Sequence, residues 1–305
     1  MSKKWPRCYA IFYGEESPFA TATVLPQATL SVLGNYSSTR VNMKSFIKSM
    51  SKNMLASVGL ELRRTRPGVG SFPSDPFLAQ KEFIDRLDVS NPVIFDVGAH
   101  KGETVARYKE LFVDSTIYCF EPFPDSAEIL RSRFSSDPSV LVCQKAVSDI
   151  DAIKTFFVND NDATNSLLPR TKDSRRYYSK TADSKYTVDV ESVTIDEMML
   201  QNDIDHINIL KFDIQGGELM ALKGAEKTLK ENRVSVIYSE TLFVPHYENN
   251  PLLLDLWNYL DKYNYSLFDI YDLYRATNGQ LRFADTMFIN NDTRSSVLDS
   301  YREEP

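Results

Sequence analysis

Between residues 90 and 292 short apolar runs alternate with stretches whose apolar positions recur every three to four residues. The runs at 93–97, 116–120, 140–143, 207–212 and 234–241 have strand length. The stretches at 103–112, 125–134, 217–230 and 251–262 have the spacing of a helix with one buried face. Two further strands are predicted at 265–270 and 284–290. This alternation predicts an α/β fold, a doubly wound and mostly parallel sheet covered on both faces. An insert between the third and fourth runs carries its own strand signals at 153–158 and 187–193. Its connecting loop, 170–180, is basic and aromatic, and reads either as a solvated loop or as a lid over a substrate.

The first part of the chain is patterned differently. Residues 1–42 show no sustained period and hold Pro6, Pro18 and Pro26, so they read as a loosely ordered extension. From Met43 a helical face appears, formed by Met43, Phe46, Ile47, Met50, Met54, Leu55 and Val58. Docking of this helix on the catalytic body is the first reading, and peripheral membrane contact through residues 43–58 is the alternative. Met43 is also a candidate natural start. Pro and Gly punctuate 63–76 as a linker, and a helix is expected at 77–87. The expected organisation is therefore an extension at 1–42, a helical segment and linker at 43–89, the main domain at 90–292, and a tail at 293–305.

Charge narrows the choice of partner. The chain of 305 residues has a net charge of -7. Residues 1–70 hold ten Lys/Arg against three Glu, so the rest carries -14. An acidic body argues against nucleic acid bound by broad phosphate neutralisation. Cys8, Cys119 and Cys143 form no Cys-x-x-Cys, which supports neither a disulfide framework nor a cysteine-bound zinc and points to the cytoplasm. No apolar run is long enough to span a membrane.

Candidate chemistry sits at two strand–glycine–helix junctions. The first is Phe95-Asp96-Val-Gly98-Ala-His100-Lys-Gly102-Glu-Thr, where an acid ends a buried strand and glycines allow a tight turn beside a ligand. Its Gly-x-x-x-Gly spacing does not match the dinucleotide fingerprint. His100 is expected at positive φ in that turn. Glu121 ends the next strand 23 residues after Gly98, where doubly wound folds place an acid against a ribose diol. The second junction, Lys211-Phe-Asp213-Ile-Gln-Gly216-Gly-Glu218, delivers Asp213 to a strand end and Glu218 to a helix start, the latter a candidate cap.

These two junctions, with Cys119-Phe-Glu121-Pro122 and Lys145-Ala146-Val-Ser148-Asp, fall in the order seen in FkbM-type methyltransferases, and the chain resembles that family over about residues 90–290. The resemblance implies a class I S-adenosylmethionine-dependent methyltransferase with a Rossmann-like sheet of order 3-2-1-4-5-7-6, its last strand antiparallel. It implies O-methylation of a sugar, glycan or other small metabolite. Carried over by position, Asp96, Gly98, His100 and Gly102 would line the methionine part of the cofactor. Glu121 would hold the ribose, Ala146 would border the adenine, and Asp213 would lie near the sulfonium. The family often has Asn at position 100 and Glu at position 215, where this chain has His and Gln.

An alcohol needs a proton acceptor as the methyl arrives. Asp213, Glu240 and His246 are the candidates, at the ends of neighbouring strands and in the following loop. The same three residues are an alternative set for a divalent ion, although no ligand spacing in the sequence supports one. His206 reads as structural. The polar stretch 159–167 reads as a turn, with reach into the site as the alternative. Competing functional readings are a nicotinamide-dependent oxidoreductase and a non-catalytic adenosyl-binding protein of the same fold.

Overall fold

The computed structural model describes residues 72–171 and 184–298, all within the unit Pro67–Pro305. The extension, the amphipathic segment 43–58 and most of the loop 170–180 lie outside the described residues. Helix α1 (Pro76–Arg86) opens the described chain, with Asp75 accepting from the Leu78 amide at 2.9 Å as its N-cap. Then come β1 (Val93–Val97), α2 (Glu103–Leu111), β2 (Thr116–Phe120), α3 (Pro124–Arg133), β3 (Val140–Cys143) and β4 (Ala146–Val147). The insert supplies β5 (Ile153–Val158), a 3₁₀ turn (Asp162–Thr164) and β6 (Tyr186–Val193), followed by α4 (Ile195–Gln201). The second half holds β7 (Ile207–Phe212), α5 (Glu218–Lys223), α6 (Glu226–Lys230), β8 (Val234–Leu242), α7 (Leu253–Asp261), β9 (Tyr265–Arg275), β10 (Leu281–Asn290) and α8 (Asn291–Val297).

Seven of these strands form one sheet in the order β3-β2-β1-β7-β8-β10-β9. The first five run parallel, and β10 is antiparallel to both β8 and β9. This is the expected 3-2-1-4-5-7-6 arrangement, with its switch of direction between β1 and β7. A second sheet, β4-β6-β5, stands apart and carries the insert.

Strand alternation divides the core in two. Phe95, Val97, Leu210, Phe212, Ile237 and Phe288 face α4 to α7, while Ile94, Ile209, Val236, Met287 and Ile289 face α1, α2, α3 and α8. Each fully buried side chain of this kind contributes about 1.5–3 kcal/mol. The acids at the strand ends share the second face: Asp96 is in register with Lys211, and Asp285 with Glu240.

Two elements differ from the sequence pattern. The single helix expected over 217–230 is broken at Gly224-Ala225, because the Gly224 backbone packs on the Ser148 carbonyl. A Cβ there would lie 2.0 Å from that oxygen. The last two strands are also longer than expected, joined by a turn in which the Ala276 amide donates to Gln280 O at 2.9 Å. The exposed end of β9 lacks the apolar alternation that would have marked it.

The two junctions meet at Gly98. Its φ is 85°, and a Cβ there would fall 2.0 Å from the Asp213 carbonyl oxygen. Gly98→Ala is therefore expected to destabilise the fold by roughly 2–6 kcal/mol, combining left-handed strain with backbone overlap. Denaturant unfolding of the two proteins measures this, and a loss under about 1 kcal/mol would show that the two turns separate easily.

Candidate active site

The parallel strands end at a cleft of about 910 Å³, its open mouth included. Gly98, Ala99 and His100 form one wall, with Glu121 and Pro122 beyond them. Lys145, Ala146 and Val147 line another side, and Lys211, Asp213, Ile214 and Gln215 close the far end. Asp162, Ala163, Asn165 and Leu167 of the insert also line it. The stretch 159–167, first read as a plain polar turn, thus reaches the site. Lys101 Nζ reaches Asp162 Oδ2 at 2.6 Å and His100 Nε2 lies 3.2 Å from Asp162 Oδ1, so this loop is tied to the β1–α2 turn.

Glu121 is the best-held acid of the cleft. One carboxylate oxygen accepts from the His100 amide and the other from the Phe123 amide, each at 2.9 Å. His100 presents its amide from a left-handed residue, φ 47°, as its position in the turn predicts. Each oxygen keeps a further lone pair, the pair of acceptors that the two hydroxyls of a vicinal diol require. Burial pushes the Glu121 carboxyl up to about 7, against the opposing pull of those two amides.

Asp96 does not line the cleft. It is fully buried, and its Oδ1 lies 2.9 Å from Lys211 Nζ, which also donates to Gly98 O at 3.1 Å. Burial alone would depress the Lys211 ammonium, but Asp96 and Asp213 outweigh it and hold the group charged. Gly102 likewise lies behind the cleft wall, its α carbon packed on Phe134 and Leu130 of the α3 region. These two residues shape the site from behind.

Asp213 is exposed and lines the cleft, whereas Glu240 and His246 do not. Glu240 is reached through Gln215, whose Nε2 donates to Glu240 Oε2 at 2.7 Å and to Asp213 Oδ1 at 3.0 Å. Burial, then the charges of Asp213, Glu218 and Asp285, raise the Glu240 carboxyl well above the usual range. Asp285 accepts from the Tyr238 hydroxyl at 2.8 Å and is pushed up to about 6, chiefly by burial. Glu218 caps its own turn, accepting from the amides of Gly216 at 3.1 Å and Ile214 at 3.3 Å.

The structure does not bring His246 to the cleft. It is buried, with Arg282 Nε donating to its Nε2 at 3.3 Å. Burial and the charges of Arg282 and Arg170 lower its pKa to about 4. Its accepting nitrogen is thereby engaged away from the cleft. No group of three or more His, Cys, Asp and Glu side chains among the described residues converges as metal ligands do, so the divalent set Asp213, Glu240 and His246 is not assembled.

Sequence reasoning missed Lys211, which lines the cleft, and took Gln215 for a lost acid. Lys211 had a signal: it is the one charged side chain in an otherwise apolar or amide-bearing strand, and its register partner on β1 is an acid.

A doubly wound sheet with a cleft at its switch point, an acid held at the end of β2 and a glycine turn after β1 defines a Rossmann-like, nucleoside-binding class of fold. The methyltransferase FkbM domain matches residues 96–267, and the chain belongs to that family of S-adenosylmethionine-dependent methyltransferases. The family assignment sets aside the nicotinamide oxidoreductase. The chain is 23% identical over 196 residues to the 2-O-methyltransferase NoeI of Sinorhizobium fredii, covering 63% of this chain and 79% of that one. It is 27% identical over 161 residues to the methyltransferase sdnD of Sordaria araneosa, covering 45% of this chain and 62% of that one. An rRNA methylase structure from Streptococcus thermophilus has a weak backbone likeness, with a TM-score of 0.39 at 12% identity over 72% of this chain and 99% of that one.

A diol bound to Glu121 favours the anion, so protonation opposes binding. Affinity for S-adenosylhomocysteine is expected to be level above the Glu121 pKa of about 7 and to fall towards tenfold per pH unit below it. Glu121→Gln should weaken binding by roughly 10- to 100-fold and abolish that pH dependence, as calorimetric titration measures. An unchanged pH profile in the variant would assign the titration to another group.

Proposed function

We propose that this protein transfers a methyl group from S-adenosylmethionine to a hydroxyl oxygen of a sugar, a glycan or another polyol-like small metabolite. The observation that carries the reading is the placement of Glu121 and Asp213 on either side of the Gly98 turn, both lining one cleft. Glu121 fits the ribose diol. Asp213 is the acid with an exposed carboxylate at the other end. The cofactor, when bound, supplies a methyl on a sulfonium, which transfers by in-line displacement.

The chain's own residues then have three tasks. Glu121, with the His100 and Phe123 amides behind it, orients the ribose, while Ala146 and its neighbours border the base. The Asp96–Lys211 pair and Gly98 set the depth of the cleft. Asp213 takes the proton of the acceptor hydroxyl as the new C–O bond forms. Glu240 acts behind Asp213, and His246 has no part in the proton transfer.

The hydroxyl acceptor finds support in the 2-O-methyltransferase named among the relatives, and the acidic body weighs against nucleic acid. No helix among the described residues is long and apolar enough to cross a membrane. With Cys119 and Cys143 both free, a cytoplasmic location is the accompanying proposal.

Incubation with methyl-labelled S-adenosylmethionine and fractionated glycans or small metabolites tests the reading. Label is expected in a base-stable ether of a hydroxyl compound. Asp213→Asn should lower its formation by about 10²–10⁴-fold, whereas His246→Gln should leave it within a fewfold. Binding of NADH without binding of S-adenosylmethionine would sink the proposal, and cofactor binding without transfer to any fraction would favour a non-catalytic binder.

A further inference from the structure

Gln215 occupies the turn between β7 and α5 with a left-handed backbone, φ 55°. The Ser166 hydroxyl donates to its carbonyl at 2.8 Å and pins the main chain. Its side-chain amide is fully engaged. Nε2 donates one hydrogen to Asp213 Oδ1 at 3.0 Å and the other to Glu240 Oε2 at 2.7 Å. Oε1 accepts from the Tyr247 hydroxyl at 2.8 Å, and that hydroxyl hydrogen is shared with the Thr164 carbonyl at 3.0 Å.

This arrangement fixes which way the amide points. Flipped, it would set its oxygen against the Asp213 and Glu240 carboxyls and lose both donations to them. Burial and the Asp213 charge favour the protonated form of the Glu240 carboxyl, which eases its repulsion with Asp213. The amide, a neutral donor, stands between the two acids and donates to both. Lys211, Asp285 and Glu218 are the other charged groups acting on Glu240.

We propose that Gln215 is a positioning residue whose amide fastens the carboxyls of Asp213 and Glu240 in place, leaving Asp213 Oδ2 as the oxygen presented to the acceptor hydroxyl. This rests on the reading of Asp213 as the proton acceptor. The bridge does for Asp213 what an orienting partner does for a catalytic base elsewhere: it removes rotational freedom before the substrate arrives. Tyr247 in turn holds the amide, so the orientation is transmitted from the loop after β8 to the end of β7.

The test has an arm that needs no acceptor. In the full chain labelled with ¹⁵N-glutamine, the Gln215 side-chain signals are identified by their loss in Gln215→Leu. The two hydrogens should resonate apart, shifted downfield and protected from exchange. Asp213→Asn should move one and Glu240→Gln the other. Signals that coincide with those of solvent-exposed glutamines and ignore both substitutions overturn the bridge.

The second arm follows labelled methyl transfer into the glycan fraction. Gln215→Leu should slow transfer by about 10- to 100-fold at saturating cofactor, while S-adenosylhomocysteine affinity stays within about threefold. Gln215→Glu sets a third carboxyl beside the pair and should raise the acidic limb of the rate profile by about one pH unit or more. If Asp213→Asn abolishes transfer but both Gln215 variants keep the wild-type rate and profile, the positioning role is wrong and the base assignment stands. If Asp213→Asn transfers normally, the base assignment fails, and the role proposed for Gln215 fails with it even where the amide signals show a bridge.

Discussion

The ammonium of Lys211 lies at the centre of this protein's chemistry, 2.9 Å from the buried Asp96 carboxylate and 3.1 Å from the Gly98 carbonyl. It is the fastener between the two halves of a doubly wound sheet. β1 and β7 meet where the strand order reverses, and the crevice outside their ends is where such folds bind ligands. A pair this deeply buried is not a strong source of stability, because desolvation of both ions offsets most of their attraction. Its effect is geometric. Removing either partner would strand a charge in the core, so the two strand ends are obliged to stay in register, with Glu121 and Asp213 a fixed span apart.

Around that pair, burial sets the protonation of the acids. Glu121, Glu218, Glu240 and Asp285 are all raised chiefly by loss of water. Their partners differ. Backbone amides hold Glu121 and Glu218, a phenol holds Asp285 and an amide side chain holds Glu240. Glu121 and Asp213 line the cleft, and of the two only Asp213 is exposed. The protein thus collects several carboxyls at one end of the sheet, and Asp213 is the exposed one.

Much of the fold was legible in the sequence. Apolar runs located every strand of the main sheet, and β1, β2, β3 and β7 have the expected bounds, because buried parallel strands are defined by composition alone. The break in the helix at Gly224 was not legible, since it depends on the distant Ser148 carbonyl. At the site, Gly98, His100, Glu121, Ala146 and Asp213 were found as cleft residues through their places at strand ends and turns. Asp96 and Gly102 were found for the right turn but act from behind the wall. His246 lies off the cleft, and its place was not legible for a general reason: sequence shows that a histidine is near a strand end, not which cation faces it. Gln215 looked like the absence of an acid because its worth lies in two hydrogen bonds to acids that are two and 25 residues away.

The cleft has a floor and a roof of separate origin. Val97, Glu121, Lys211 and Asp213 belong to strand ends of the seven-stranded sheet, whereas Phe156, Asp162, Asn165 and Leu167 belong to the insert of the three-stranded one. Polar ties from Lys101, His100 and the Tyr247 hydroxyl join the two. Such a division separates the parts that organise the chemistry from the parts that shape the way in. A change in the insert can reshape the entrance, and with it the molecules admitted, without moving the strand register behind it.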